Sequence, residues 1–200
     1  MGYYVRVLSP SDEVVPHSVL SADLAAEYPK AKLSVEVGSD TQWEQLLLRH
    51  PDDSKIAVVE HNSTADDLGS EEIQEFIEEI GDFQPKSAVE WLREYLPTVR
   101  TIYSFQILSG TESKNGWEIF GSLKDAAWRH ATGIIQADGE GFTNEDGYHI
   151  LWQFSDSVNG EWWMGVLENG KWVHFRMELG DRMQRQAFFQ GIVPAGARRA

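Results

Sequence analysis

The chain has 200 residues, of which 42% are hydrophobic and 24% charged, as in an ordinary globular protein with a sizeable core. It has no cysteine, which excludes disulfides, a thiol nucleophile and cysteine metal ligands. It contains 17 Lys and Arg residues and 32 Asp and Glu residues, which gives a net charge of −15. This charge disfavours nucleic acid as a partner, because phosphate recognition needs a cationic surface.

Charge and tryptophan are distributed unevenly. Residues 1–100 contain 8 basic and 20 acidic residues, whereas residues 101–200 contain 9 and 12. Tryptophan runs the other way, with 2 in the first half and 6 in the second. The apolar run at the N-terminus is too short for a signal peptide, and no run approaches 18 apolar residues. We therefore expect a cytoplasmic protein with no membrane partner.

The first elements are short. Apolar runs bounded by turn residues predict strands at 3–8, 32–37 and 56–60. The spacing of Leu20, Leu24 and Tyr28 predicts a helix over 21–28, with Ser21 as its N-cap. Residues 43–49 fit either a helix after a Thr41/Glu44 capping box or the first strand of a hairpin. We favour the hairpin, because a turn at 50–53 separates two apolar runs.

Two helices and a strand follow. Apolar residues at helical spacing predict a helix over 71–82, and a Ser87/Glu90 capping box predicts another over 88–96. Alternation predicts a strand over 99–108. The outer face of the first helix is acidic and offers a docking patch for a basic protein, unless it is only a solvated face. The patch consists of Glu75, Glu78, Glu79 and Asp82.

A loop at 109–116 is the best domain boundary in the sequence and divides it into an acidic half, 1–108, and a Trp-rich half, 109–200. The second half begins with a predicted helix over 117–131 and a strand over 133–136. It ends with strands at 148–154, 161–168 and 171–178 and a helix at 181–189. The fold class is therefore α+β. An N-terminal sandwich of mixed strands and helices, for which the element order allows a ferredoxin-like arrangement, precedes a helix and a C-terminal antiparallel three-stranded meander.

The last hairpin has a defined register. Asn169-Gly170 favours a two-residue type I′ turn, because both residues accept positive φ. Alternation then gives one apolar face and one mixed face. The side of strand 148–154 that joins the apolar face depends on the loop at 157–160. We favour an odd loop length, which aligns Trp152 and Phe154 with Met164. A two-residue turn would instead place the other side of this strand, with His149, Leu151 and Gln153, on the apolar face.

The mixed face is the first candidate binding site, for an anionic or planar ligand or a protein. Its predicted members are His149, Gln153, Trp163, Trp172, His174 and Arg176. The alternative is that the helix at 117–131 covers this face and that Trp163 only stacks on Arg176.

The loop 138–147 is the second candidate site, since carboxylates and glycines in a short loop suit a hard cation. Phe142 and Thr143 break the EF-hand pattern. A mixed metal site would use His130, Asp138, Glu140 and His149, and the alternative is an acidic turn. The remaining histidines, including His61, are expected at solvated turns or strand ends.

The familiar catalytic signatures are absent from the sequence. We therefore expect a non-catalytic, acidic, cytoplasmic module that binds a basic protein and needs no cofactor. Its charge and size resemble those of inhibitors and immunity proteins, with no motif behind the analogy. The alternatives are a metal-dependent enzyme using the 130–149 region and a small-ligand or sugar binder on the Trp163/Trp172 face.

Overall fold

The computed structural model describes residues 2–199, within which five α-helices and eleven β-strands make an α+β fold, as predicted. The helices are α1 (His17–Glu27), α2 (Asp67–Glu79), α3 (Lys86–Tyr95), α4 (Gly116–Ala131) and α5 (Arg182–Phe189). The strands are β1 (Tyr4–Ser9), β2 (Lys32–Gly38), β3 (Trp43–Arg49), β4 (Lys55–Ser63), β5 (Thr101–Ile107), β6 (Ile134–Ala137), β7 (Gly141–Thr143), β8 (His149–Trp152), β9 (Glu161–Glu168), β10 (Lys171–Glu178) and β11 (Arg198–Arg199).

The chain divides into two compact units. The first comprises the described residues up to Ser70 together with Val99–Gly133, and the second comprises Glu71–Thr98 together with the described residues from Ile134 onward. The chain therefore contributes two segments to each unit, whereas the sequence suggested one boundary, in the loop after residue 108.

The sheet of the first unit is antiparallel throughout, with its strands in the order β1-β5-β4-β3-β2. The β3–β4 hairpin is the one favoured from the sequence, and Leu46 pairs with Val59 in it. Its pattern was ambiguous because three consecutive residues, Leu46, Leu47 and Leu48, are all buried, which removes the usual alternation. The ferredoxin-like arrangement is not confirmed: β2, β3 and β4 follow one another as neighbours, and β5 lies between β4 and β1.

Helix α1 begins at His17, four residues before the predicted start. Its first backbone N–H groups are satisfied from a distant loop, since Asp40 accepts from His17 N at 2.8 Å and from Ser18 N at 2.6 Å. Ser21 is therefore an interior residue and not the N-cap. Leu20 and Leu24 are buried, and α1 packs against α4.

The second unit contains strands β6 to β11 as sequential neighbours. The β9–β10 hairpin has the predicted register, from Trp162 opposite Met177 to Glu168 opposite Lys171. Asn169 and Gly170 both have positive φ, at 51° and 75°, as a type I′ turn requires. The predicted three-stranded antiparallel meander is wrong, because β8 runs parallel to β9. The eight residues 153–160 are long enough to carry the chain back along a strand of four residues.

The helices of this unit are amphipathic. Ile73, Phe76 and Ile80 are buried, as the predicted helix over 71–82 requires. The capping box predicted at Ser87 does not form, because α3 begins at Lys86 after Pro85 and Ser87 Oγ is buried without a hydrogen bond within residues 2–199.

Candidate functional site

The β9–β10 hairpin places four of the predicted site residues on one side of the sheet. Trp163 lies opposite Arg176, and Gly165 lies opposite His174. Trp172 lies two residues before His174 on the same strand, so both side chains are on the same side of the sheet. Tyr148 joins them from the neighbouring chain segment, with its ring stacked on that of His174 at 3.6 Å and 1°. We call Tyr148, Trp163, Trp172, His174 and Arg176 the aromatic face.

Trp163 is the accessible residue of this face, with 43% of its surface exposed. The guanidinium carbon of Arg176 lies 4.4 Å from the Trp163 ring centroid, and Tyr148 meets the same ring edge-on at 5.8 Å. Arg176 Nη1 lies 3.7 Å from Glu161 Oε2. Cation–π and edge-to-face contacts of this kind hold an exposed indole in one orientation without burying it.

Helix α3 borders the aromatic face at Trp172. The Trp91 ring meets Trp172 edge-on at 5.3 Å and stacks on Tyr95 at 4.9 Å. Tyr95 donates a hydrogen bond from its hydroxyl to Glu145 Oε1 at 3.3 Å, and burial raises the pKa of this phenol, which keeps it a donor. The alternative interpretation expected the helix at 117–131, which corresponds to α4, to cover the mixed face. Helix α3 is the helix that contacts this face, through Trp91 and Trp172. It leaves Trp172 half-buried and Trp163 open.

The loop between β7 and β8 braces the same face. Asn144 is buried, and its Oδ1 accepts from Asp146 N at 3.2 Å and Tyr148 N at 2.9 Å. This turn holds the backbone of Tyr148 in place. It also places Asp146 Oδ2 3.6 Å from His174 Nε2. Two of the loop carboxylates, Glu145 and Asp146, thus lie beside Tyr95 and His174.

His149 does not belong to the aromatic face. It pairs with Met164 of the apolar side and is 2% exposed. The register of β7 and β8 shifts between Phe142 and Thr143, so alternation along β8 is interrupted. His149 and Trp152 therefore both lie on the apolar side, which strict alternation forbids. Burial lowers the pKa of His149 to about 4, so this imidazole is neutral at pH 7.

Gln153 is half-buried just after β8, and its backbone N–H donates to Glu140 O at 2.8 Å. Trp152 and Phe154, in contrast, pack with Met164 in the apolar cluster as favoured from the sequence.

The four residues predicted as metal ligands are divided between the two units. His130 belongs to the first unit, where its Nε2 lies 2.9 Å from Asp23 Oδ2. Asp138, Glu140 and His149 belong to the second unit, and Asp138 accepts from Gln136 Nε2 at 3.5 Å. Within residues 2–199, no group of three or more His, Asp or Glu side chains is arranged to hold a metal ion.

The acidic patch lies on α2 and the turn that follows it. Its members, Glu75, Glu78, Glu79 and Asp82, are all exposed. Gln74 donates to Glu78 at 2.8 Å along the helix surface.

The sequence did not indicate that Tyr148 belongs to the aromatic face or that Trp91 and Tyr95 border it. Tyr148 was assigned to a strand, but its stacking on His174 depends on the parallel β8–β9 pair. The spacing of Trp91 and Tyr95 indicated one helix face, but no local signal identifies Trp172 as the partner of that face.

The chain matches no protein-family model, no curated protein and no solved structure. In the part of the chain that the structure describes, no helix is both long and apolar enough to cross a membrane.

Proposed function

We propose that this chain is a non-catalytic, acidic, cytoplasmic binding protein that recognises a basic protein through the aromatic face. The observation that carries the proposal is Trp163, an exposed indole held between Arg176 and Tyr148. Tryptophan and arginine dominate binding energy in protein interfaces, because large rigid side chains bury much area at little entropic cost.

The surroundings of Trp163 support a binding role. His174 is stacked on Tyr148, and Arg176 contacts Trp163 and Glu161, so both side chains are held in place, while His174 Nε2 and Arg176 Nε have no hydrogen-bond partner within residues 2–199. Such a surface is organised before its partner arrives, which reduces the entropy lost on binding.

The charge of the chain supports a basic partner. A net charge of −15 and the exposed acidic patch on α2 attract a cationic protein over distances of a Debye length, which raises the association rate. The analogy to inhibitors and immunity proteins rests on charge and size, and a rigid aromatic contact surface is compatible with such a role.

The test is quantitative capture from a lysate of the native host, using the wild type, Trp163→Ala and Trp117→Ala as bait. Trp117 is a matched control, because it is 54% exposed in the first unit. We expect one strongly basic protein to be retained by the wild type and Trp117→Ala, and at least tenfold less by Trp163→Ala. If no captured protein depends on Trp163, the proposal fails.

A further inference from the structure

A cavity of about 540 Å³ opens in the first unit, and no residue of the aromatic face lines it. It is lined by residues of β3, by the end of β4 and by the start of α2. Its volume is within the range of small-ligand sites in proteins.

His61 lines the cavity and packs against two aromatic rings beneath the lining. The ring of His61 lies 5.7 Å from the rings of both Trp43 and Tyr103, and both of these residues are fully buried. Trp43 is fixed by a 2.9 Å hydrogen bond from its Nε1 to Val15 O. His61 is half-buried, and neither of its ring nitrogens has a hydrogen-bond partner within residues 2–199. Burial lowers its pKa, so the ring is neutral at pH 7 and offers one nitrogen as an acceptor.

One wall depends on a glycine. Gly69 is buried against the backbone carbonyl of Ser63, where an added Cβ would clash with that oxygen. This close approach brings Asp66 and Leu68 to the rim of the cavity.

The polar lining is anionic, and no Lys or Arg is part of it. Glu60 accepts a hydrogen bond from Gln45 Nε2 at 3.1 Å, whereas Glu44 and Asp66 are exposed and form no ion pair within residues 2–199. Val37 and Leu68 expose apolar surface at the same cavity. The cavity thus combines an unpaired imidazole acceptor, uncompensated carboxylates and apolar contact area.

We propose that this cavity binds an organic cation, a guanidinium or ammonium group carried on a short aliphatic stem. Glu44 and Asp66 neutralise the charge, His61 accepts from one of its N–H groups, and Val37 and Leu68 contact the stem. An arginine side chain of a protein and a free alkylguanidine share this chemistry. This site does not depend on the aromatic face, so failure of one proposal leaves the other unaffected.

The test is a titration with n-butylguanidinium, followed through the imidazole C–H resonances of His61 in an NMR spectrum. The uncharged isostere n-butylurea is titrated in parallel. The variant Glu44→Gln/Asp66→Asn removes two exposed carboxylates of the lining. The control variant Asp12→Asn/Glu112→Gln removes the same charge from exposed positions of the same unit that do not line the cavity.

We expect saturable movement of the His61 resonances with n-butylguanidinium and none with n-butylurea. Affinity should fall at least tenfold in Glu44→Gln/Asp66→Asn and less than twofold in the control. A linear response, equal binding of the urea, or an equal loss in both variants would overturn the proposal. A capped Gly-Arg-Gly peptide that binds more tightly than n-butylguanidinium identifies a protein side chain as the ligand, and the reverse order identifies a small molecule.

Discussion

His149 is a buried histidine whose protonation is linked to folding. Its pKa is about 4 in the folded protein and 6.5 as a free side chain, because burial disfavours the charged ring. Between these values the unfolded chain binds a proton that the folded chain does not. The free energy of unfolding therefore has its full value, as far as His149 is concerned, above about pH 6.5. It decreases by about 3 kcal/mol as the pH falls towards 4.

We predict that His149→Leu removes this pH dependence, because leucine has similar bulk and no proton to bind. Urea unfolding of the wild type and the variant at several values between pH 7 and pH 4 measures the effect. The free energy of unfolding of the wild type should fall relative to the variant by about 3 kcal/mol over this range. The carboxylates common to both proteins cancel in the difference, so parallel pH profiles would show that His149 is not buried as described.

The turn of the β9–β10 hairpin is the element that orients the aromatic face. Gly170 has a φ of +75° and open space around its missing Cβ. Gly121, in the middle of α4, also has open space but lies in a helix. The two positions therefore separate the effect of backbone conformation from the effect of packing.

Gly170→Ala should lower the free energy of unfolding by about 1–2 kcal/mol, because an L side chain is strained at positive φ. Gly121→Ala should raise it by up to about 1 kcal/mol, because alanine favours the helix. Chemical denaturation of both variants measures these opposite signs. A Gly170→Ala variant as stable as the wild type would be inconsistent with the type I′ turn.

Elements governed by local signals were predictable from the sequence. The Asn169-Gly170 turn fixed the pairing of Trp163 with Arg176, since a two-residue loop leaves no freedom of register. The buried side of α2 and of the turn after it followed in the same way from the helical period of Ile73, Phe76 and Ile80.

Elements governed by distant contacts were not predictable. The start of α1 depends on Asp40, which lies after the following strand. The side on which His149 lies depends on a shift in register against β7, which no alternation pattern records. The position of His61 in the cavity lining depends on its contact with Tyr103, a residue of another strand, whereas the sequence suggested a solvated histidine.

At the scale of the whole molecule, charge and aromatic residues have different roles. In the proposed function, exposed carboxylates such as those of Glu75 and Glu78 attract a basic partner over a distance and raise the rate of encounter. We propose that the aromatic face acts only at contact, where Trp163 slows dissociation of the complex. Recognition in this account therefore requires that Trp163 becomes buried by the partner.

Fluorine NMR of the protein labelled with 5-fluorotryptophan tests this requirement most directly. The Trp163 signal is assigned by its loss in Trp163→Phe, and the basic protein captured from the host is added to saturation. We predict that the Trp163 signal shifts while that of Trp117 stays unchanged. Saturating binding with an unmoved Trp163 signal would contradict it.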